Sequence, residues 1–250
     1  MSASPERELV ADARHWLAGR LVLVTGASRG IGAATAEALA DAGARVVLAA
    51  RNGEALEAVA EGIRDRGGDA RAVPTDVARP EDVGALFADL ERSGPLAGLV
   101  CAAAVLTSAP FEETTAELWE QTLAVNLTGA FLCCRAAFGA MRAAGEGRIV
   151  NIASLSGVYA TEKFPGLAAY NVSKYGVIGL TEAIAVEGRP HGISAICLSP
   201  GAVDTEMLRR ANPELRPGLT PPDVARLIAA LLDSPLVPAS GANIPLFSNA

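Results

Sequence analysis

Six short, almost wholly apolar runs, separated by amphipathic stretches, constrain the fold of this chain more than any other feature. The runs are LVLVTG (21–26), ARVVLAA (44–50), ARAVPTD (70–76), GLVCAAA (98–104), RIVNIAS (148–154) and ISAICLSP (193–200). Strands buried on both faces have this pattern, whereas a strand with one wet face alternates apolar and polar residues. The amphipathic stretches of helical length are 30–42, 53–66, 80–93, 115–144 and 170–187. This alternation predicts an α/β fold with a parallel sheet and helices on both faces.

Right-handed crossovers make such a sheet doubly wound. The 250 residues suffice for one domain with a sizeable core, and no repeat, low-complexity tract or linker divides them. We therefore predict a single domain over residues 19–250, preceded by an N-terminal extension over 1–18. The extension is polar and is expected to be helical over roughly 5–18.

Composition excludes several classes of function. A formal net charge of −7 disfavours non-specific nucleic-acid binding, which needs a basic surface. No apolar run approaches the ~20 residues that span a bilayer, so no membrane association is predicted. The charged start, MSASPERELVADARHW, lacks the apolar core of an export signal.

Four cysteines occur without a CxxC pair, which is too few for a disulfide framework in a chain of this length. We interpret them as reduced thiols in a cytoplasmic protein. The two histidines, His15 and His191, lack neighbours of the kinds that ligate metals. No metal site is predicted.

A glycine-rich turn follows the first apolar run, where TGASRGIG (25–32) carries Gly26, Gly30 and Gly32 at the spacing GxxxGxG. Gly26 allows a tight turn, Gly30 lets backbone approach a pyrophosphate, and Gly32 lets the helix pack close to the strand. The following helix N-terminus offers free N–H groups to phosphates. Its position between the first strand and first helix favours a dinucleotide-binding turn over an ordinary one.

The residues after the second strand indicate which dinucleotide is bound. NAD sites commonly place an acid there for the ribose 2′-OH, but this chain has Ala49-Ala50-Arg51-Asn52. Arg51 and Arg29 are suited to the oxygens of a 2′-phosphate. NADP is therefore predicted, the alternative being that both arginines are simply solvated.

Tyr170 and Lys174 open the amphipathic stretch 170–187, and their i,i+4 spacing puts them on one helix face. A lysine held there favours the tyrosinate and lowers the phenol pKa from about 10 toward neutrality. Such a tyrosine can act as general acid toward a carbonyl oxygen. A chance pair is less plausible because Lys163 and Lys174 are the only lysines.

These motifs together resemble the short-chain dehydrogenase/reductase family in its NADP-dependent subgroup, over roughly residues 18–245. The matching segments are TGASRGIG (25–32), AAR (49–51), Asp76-Val77, LWEQTLAVNLTGAFL (118–132), GRIVNIASLSG (147–157), YNVSK (170–174) and SPGAVDTEM (199–207). The resemblance implies a Rossmann-type fold. Their order and spacing are far more specific than any single motif.

The resemblance implies a catalytic tetrad. Tyr170 is the expected acid/base, and Lys174 is expected to hold the nicotinamide ribose and lower the phenol pKa. Ser154 is expected to hydrogen-bond the substrate carbonyl, and Asn126 to fix a water that relays protons to Lys174. Tyr159, in the longer segment between Ser154 and Tyr170, is expected at the substrate mouth together with Lys163 and Phe164.

The resemblance also implies contacts with NADP. Asp76 is expected at the adenine, while Pro200, Gly201, Val203 and Thr205 are expected to border the nicotinamide. The further expected cofactor contacts are Gly26, Ser28, Arg29, Gly30, Ile31, Gly32, Arg51, Val77, Ala103, Tyr170 and Lys174.

The reaction implied is hydride transfer between NADP(H) and a ketone or secondary alcohol, of a 3-oxoacyl or secondary-metabolite ketoreductase type. The substrate is expected to be a small molecule or carrier-bound. A sugar, polyol or steroid dehydrogenase is the alternative within the class. A non-catalytic nucleotide sensor, and a lyase or epimerase, are disfavoured because all four tetrad residues are present.

Three further expectations concern departures from the family and assembly. Cys101-Ala102-Ala103-Ala104 replaces the family's Asn-Asn-Ala-Gly, so Ala104 adds a methyl near the nicotinamide. Cys101 is interpreted as a small buried hydrophobe, a reactive thiol being the alternative. The segment from Thr205 to Asp223 is short for a lid, which suggests an open site for a bulky ketone, loop drift being the alternative. A homodimer or homotetramer is expected, with the tetramer favoured. The predicted subunit interface is formed by the helix over 115–144 and the helix that carries Tyr170. Their small apolar residues, which permit close helix packing, include Ala124, Ala137, Ala183 and Ile184.

Overall fold

The computed structural model describes residues 16–234 and 237–247, and their strands form one parallel sheet of seven strands. The strands are β1 (Leu21–Thr25), β2 (Arg45–Ala50), β3 (Asp69–Pro74), β4 (Leu96–Cys101), β5 (Gly147–Ile152), β6 (Ile193–Pro200) and β7 (Asn243–Leu246). Their spatial order is β3-β2-β1-β4-β5-β6-β7. The predicted doubly wound Rossmann-type α/β fold is confirmed.

Eight α-helices flank the sheet within the described residues. They are α1 (Gly30–Asp41), α2 (Gly53–Asp65), α3 (Pro80–Glu91), α4 (Ala116–Leu123), α5 (Gly129–Ala144), α6 (Ala168–Gly188), α7 (Glu206–Ala211) and α8 (Pro221–Asp233). A π-helical turn, Ala124–Thr128, joins α4 to α5. One apolar cluster lies between the sheet and α3, α5 and α6, and a second lies between the sheet and α1, α2 and α8.

All six strands expected from the apolar runs are present. β1, β4 and β6 are buried at every position, which confirms that their unbroken apolar pattern reflects helices on both faces. The seventh strand, β7, pairs with β6 and was not expected from the sequence. Its four residues are only half-buried and include Pro245, a residue that sheets tolerate at their edges.

Helices α4 and α5 carry the most apolar helical segment. Residues 116–144 are long and apolar enough to cross a membrane, with a mean hydropathy of 1.4 over an 18-residue window, contrary to the expectation that no segment approaches this. Cys133, Ala137 and Met141 nevertheless pack into the core against the sheet. Core helices of soluble proteins pass the same test of length and composition. Only 28% of this apolar window is buried, so the segment packs on the core along one face and leaves other apolar side chains outside it.

The solvent faces of α5 and α6 differ from expectation. Ala137 and Ile184, expected at a subunit interface, are buried in the core instead. The large apolar side chains that these helices expose are Phe131, Val172, Tyr175 and Val186. The sequence indicated that both helices have an apolar outer face. Because they are apolar on the inner face as well, the sequence did not show which residues lie on which face.

The predicted N-terminal helix over 5–18 lies mostly outside the described residues. Where the description begins, Trp16 and Leu17 lie in a turn. Leu17 is buried and its N–H donates to Asp233 Oδ1 at 3.0 Å, while the guanidinium carbon of Arg148 lies 3.8 Å from the centre of the Trp16 ring. The end of the extension is thus attached to β5 and α8.

The strand order reverses between β1 and β4, since successive strands are added on one side of β1 as far as β3 and on its other side from β4 onward. At such a switch point the loops after the two central strands diverge and leave a crevice at their carboxyl ends. The turn after β1 and the segment after β4 border this crevice.

Two helical glycines give a matched test of close packing at the switch point. A Cβ on Gly32 in α1 would lie 2.2 Å from the Gly26 carbonyl oxygen, whereas one on Gly84 in α3 would meet nothing within 4 Å. We expect Gly32→Ala to lower the free energy of unfolding by about 2 kcal/mol or more. Gly84→Ala is expected to raise it by about 0.5–1 kcal/mol.

Urea unfolding of the two variants without added ligand measures both effects. Equal stability changes in the two variants would contradict the close approach of α1 to the turn.

Candidate functional site

A large cleft of about 1750 Å³ opens at the carboxyl ends of the central strands. Its walls come from the turn after β1, the ends of β2 and β3, the segment after β4, the segment between β5 and α6, and residues 200–215 after β6. Cleft volumes of about 300–1000 Å³ are typical for small ligands. The cleft therefore has room for a dinucleotide and a second molecule.

The glycine-rich turn forms one end of the cleft. Gly26 has φ of +69°, and a Cβ there would lie 2.6 Å from the backbone nitrogen of Ala103. Gly30, with φ of +58°, has only the Thr205 side chain near its missing Cβ, at 3.4 Å. Gly26 thus lets the turn approach the segment after β4, and Gly30 leaves open space toward the cleft. This cradle fits the phosphates of a dinucleotide at the N-terminus of α1.

The two arginines predicted to select NADP both line the cleft. Arg51 is exposed and, among the described residues, forms no ion pair with a carboxylate. Arg29 pairs with Glu206, the first residue of α7, with Nη1 to Oε2 at 2.5 Å. Glu206 was not expected from the sequence, because no local pattern links residue 206 to the turn after β1.

The predicted cofactor residues lie together. All of them line the cleft: Gly26, Ser28, Arg29, Gly30, Ile31, Gly32, Arg51, Asp76, Val77, Ala103, Tyr170, Lys174, Pro200, Gly201, Val203 and Thr205. Asp76 Oδ1 accepts a hydrogen bond from the N–H of Ala78 at 3.0 Å, which fixes its carboxylate at the end of β3. The residues present therefore fit a dinucleotide laid across the sheet edge.

Ser154, Tyr170 and Lys174 meet in the same cleft. Ser154 follows β5, while Tyr170 and Lys174 share one face of α6 as their spacing predicts. Both α6 side chains are buried, and Lys174 Nζ lies 5.6 Å from the centre of the Tyr170 ring. Lys174 Nζ donates to the carbonyl of Ile152 at 2.8 Å, which ties it to the end of β5.

Burial governs the ionisation of this pair. It raises the pKa of the Tyr170 phenol, and hydrogen bonding with Ser154 opposes that rise. It lowers the pKa of Lys174 to about 8. Burial therefore sets the direction of the Tyr170 pKa shift in this structure, since desolvation of the phenolate outweighs the hydrogen bond with Ser154, and a lowering of that pKa by Lys174 stays a prediction.

Asn126 is buried in the π-helical turn and does not line the cleft. Its Oδ1 accepts from the N–H of Val105 at 2.7 Å, and its Nδ2 donates to the carbonyl of Val105 at 2.9 Å and to Ser173 Oγ at 3.1 Å. The amide thus connects the segment after β4 to α6. These bonds occupy the side chain, so proton relay through Asn126 stays a prediction.

Two of the residues that differ from the family motif at 101–104 lie in different surroundings, Cys101 in the core and Ala104 at the cleft. Cys101 is buried, with its Sγ 3.8 Å from Cys134 Sγ, and its pKa is raised well above the ordinary range by that hydrogen bond and by burial. A thiol that stays protonated is a packing group rather than a nucleophile. Ala104 lines the cleft, so its methyl group faces the ligand space.

The substrate side of the cleft has many apolar side chains beside polar ones such as Ser108, Glu162 and Asn212. Its apolar lining residues include Val105, Leu106, Val158, Tyr159, Phe164, Leu167, Met207, Leu208, Leu215 and Phe247. Tyr159 and Phe164 line the mouth as expected, but Lys163 does not, since its ammonium turns back onto the carbonyls of Leu155 and Val158. Phe247 directly follows β7, and the sequence predicted neither that strand nor the place of Phe247 in the cleft wall.

Comparison with known proteins agrees with this geometry. The family model for short chain dehydrogenases matches residues 20–216. The D-threitol dehydrogenase of Mycolicibacterium smegmatis is 39% identical over 82% of this chain and 78% of its own length. The 3-oxoacyl-acyl-carrier-protein reductase of Synechocystis is 38% identical over 79% of this chain and 80% of its own.

Solved structures show the same similarity. A putative NAD(P)-dependent gluconate 5-dehydrogenase from Beutenbergia cavernae, solved with bound NADP at low occupancy, superposes with a TM-score of 0.87 at 34% identity. That match covers 94% of this chain and 98% of the other. The family model and these relatives show that the chain belongs to the short-chain dehydrogenase/reductase family.

Proposed function

We propose that the protein is an NADP(H)-dependent oxidoreductase that transfers a hydride between the nicotinamide and a ketone or secondary alcohol. The observation that carries this proposal is the convergence of Ser154, Tyr170 and Lys174 in the cleft that the glycine-rich turn opens onto. A hydroxyl, a phenol and an ammonium at one site are the groups needed to bind and protonate a carbonyl oxygen.

The bound cofactor supplies the hydride in reduction and accepts it in oxidation. In reduction, Tyr170 Oη donates its proton to the substrate oxygen, and the raised pKa of the phenol keeps that proton in place beforehand. Ser154 hydrogen-bonds the same oxygen and stabilises the negative charge that develops on it. In oxidation the two protein groups act in reverse, with Tyr170 accepting the alcohol proton.

Lys174 adds a positive charge beside the phenol. Its ammonium is held by the Ile152 carbonyl and lies beside the Tyr170 ring, where a positive charge stabilises the phenolate left after proton transfer. The same group is placed to bind hydroxyls of the nicotinamide ribose. Its lowered pKa of about 8 means that this charge weakens in moderately alkaline solution.

Selection of NADP over NAD is assigned to the arginines at the adenosine end. The position after β2 offers Arg51 rather than an acid, and the guanidinium is exposed and available to a 2′-phosphate. Arg29 can add a second cation on exchanging its contact with Glu206. The NADP found in the Beutenbergia cavernae structure supports this assignment.

The substrate we propose is a bulky, predominantly hydrophobic ketone, of the 3-oxoacyl or secondary-metabolite kind. The apolar walls formed by Val105, Leu106, Phe164 and Met207 favour such a molecule over a polyol, whose hydroxyls they leave without partners. The cleft of about 1750 Å³ supports the open site suggested by the short segment after Thr205.

We further propose that the protein acts as a cytoplasmic homodimer or homotetramer. The exposed apolar side chains of Phe131 on α5 and of Val172 and Val186 on α6 supply a self-complementary face for a second copy. All four cysteines are free and buried, as expected for a protein kept in reducing surroundings.

Tyr170→Phe tests the acid directly. Removing only the phenolic oxygen is expected to lower turnover by about 10²–10⁴-fold while NADPH still binds. Turnover is measured by NADPH absorbance with a hydrophobic ketone, and binding by fluorescence titration. Turnover near that of the unmodified enzyme would show that Tyr170 is not the proton donor.

Arg51→Ala tests cofactor selection. Loss of a charge-assisted contact with the 2′-phosphate is expected to raise the Kd for NADPH about tenfold or more and to leave that for NADH nearly unchanged. Arg142→Ala, an exposed arginine remote from the cleft, is the matched control. Equal weakening of both dinucleotides by Arg51→Ala would contradict the role.

The pKa of Lys174 can be measured because the chain has only two lysines. In Lys163→Arg protein labelled with ¹³C-lysine, the Cε resonance reports Lys174 alone. Because burial lowers the pKa of Lys174, its proton is expected to leave as the pH rises through about 8. A resonance that shifts only above about pH 10, the range of an unperturbed lysine, would contradict the burial of this charge.

A further inference from the structure

The second lysine has an environment that the reaction does not explain. Lys163 Nζ donates to the carbonyl oxygens of Val158 at 2.6 Å and Leu155 at 3.2 Å, and to Thr161 Oγ1 at 2.6 Å. Within the part of the chain that the structure describes, it forms no ion pair with a carboxylate. All three acceptors belong to the segment that separates Ser154 from α6.

Lys163 is also half-buried, and its ammonium lies 5.4 Å from the centre of the Tyr175 ring. Tyr175 Oη donates to the same Val158 carbonyl at 3.1 Å. An ammonium carries three donors in a tetrahedral arrangement, and here each has an oxygen acceptor. The lysine is therefore a fixed internal clamp rather than a solvated surface charge.

The clamped segment contains an unusual backbone conformation. Ala160 has φ of +58° and is the only non-glycine residue with positive φ among residues 16–234 and 237–247. L residues rarely adopt this conformation, and it persists only where the surroundings enforce it. Lys163 binds Val158 and Thr161 on the two sides of Ala160. The Thr161 hydroxyl also contacts the Leu155 and Val158 carbonyls, at 2.6 and 2.9 Å, so the ammonium and the hydroxyl together hold this turn.

The clamp connects directly to the reacting groups. Ser154 Oγ accepts from the N–H of Ser156 at 3.1 Å and so begins the helical turn Leu155–Gly157, whose first carbonyl Lys163 binds. Gly157 packs on α6, where an added Cβ would lie 2.5 Å from the carbonyl carbon of Lys174. Next to Ala160 in the same segment is Tyr159, which lines the cleft and is 87% exposed.

We propose that Lys163 is a positioning residue for substrate. Its ammonium holds the strained turn around Ala160 and thereby fixes the Ser154 hydroxyl and the Tyr159 ring against a ketone in the cleft. This rests on the function proposed above, since it presupposes that the ketone binds there. Lys163 itself touches neither substrate nor cofactor, and it acts through the carbonyls of Leu155 and Val158.

Lys163→Met tests the proposal, because the thioether keeps the length of the stem and removes every donor. We expect kcat/KM for a hydrophobic ketone to fall roughly tenfold, as small misplacements of catalytic groups do. The Kd for NADPH, whose predicted site is built from other segments, is expected to stay within about twofold. Amide hydrogen exchange over residues 158–163 is expected to quicken.

Two further variants separate positioning from general stability. Lys163→Arg keeps a charge and several N–H donors, and is expected to lose less kcat/KM than Lys163→Met. Ala160→Gly added to Lys163→Met removes the strain that the lysine restrains, and is expected to recover part of the lost kcat/KM. A purely structural lysine would lower the melting temperature in all three variants without this order of activities.

Wild-type kcat/KM and exchange rates in Lys163→Met would overturn the proposal. If that variant does not accumulate as folded protein, Lys163→Gln is measured in the same way and judged by the same result. A wild-type protein that reduces no ketone counts against the proposed function instead. The exchange measurement then still decides whether Lys163 holds the turn.

Discussion

The close approach of two backbone segments at the sheet's switch point is the constraint on which the rest of the site depends. Gly26 lies so near Ala103 that any side chain at residue 26 would overlap the backbone after β4. Parallel pairing of β1 with β4 brings these segments together, and the absence of a Cβ lets them touch. The cleft, the exposed N-terminus of α1 and the position of Arg29 all follow from that contact.

Burial is the second principle of the site. Tyr170 and Lys174 are both buried, and burial disfavours the charged form of each group. The pair is therefore prepared as a protonated phenol beside an ammonium whose proton is loosely held. In the proposed reaction, this phenol is the group that gives its proton to the carbonyl oxygen.

Most of the fold and of the site could be predicted from the sequence, because both depend on local patterns. Unbroken apolar runs indicated six strands, although β3 at the edge of the sheet has only one buried residue, Ala70. The glycine spacing and the Tyr170-Lys174 spacing indicated two parts of the cleft. Contacts between distant segments gave no such signal. Glu206 reaches Arg29 across 177 positions of sequence, and β7 pairs with β6 despite a proline. The raised pKa of Tyr170 depends on burial, which no residue spacing encodes.

The central claim is that this cleft binds NADP through its phosphates and distinguishes it from NAD by the 2′-phosphate. Titration of the purified wild-type protein with NADPH and NADH by calorimetry tests it without knowledge of the substrate. The account predicts that NADPH binds about tenfold or more tightly than NADH, as expected for one or two guanidinium–phosphate contacts. Equal affinity, or tighter binding of NADH, would contradict it.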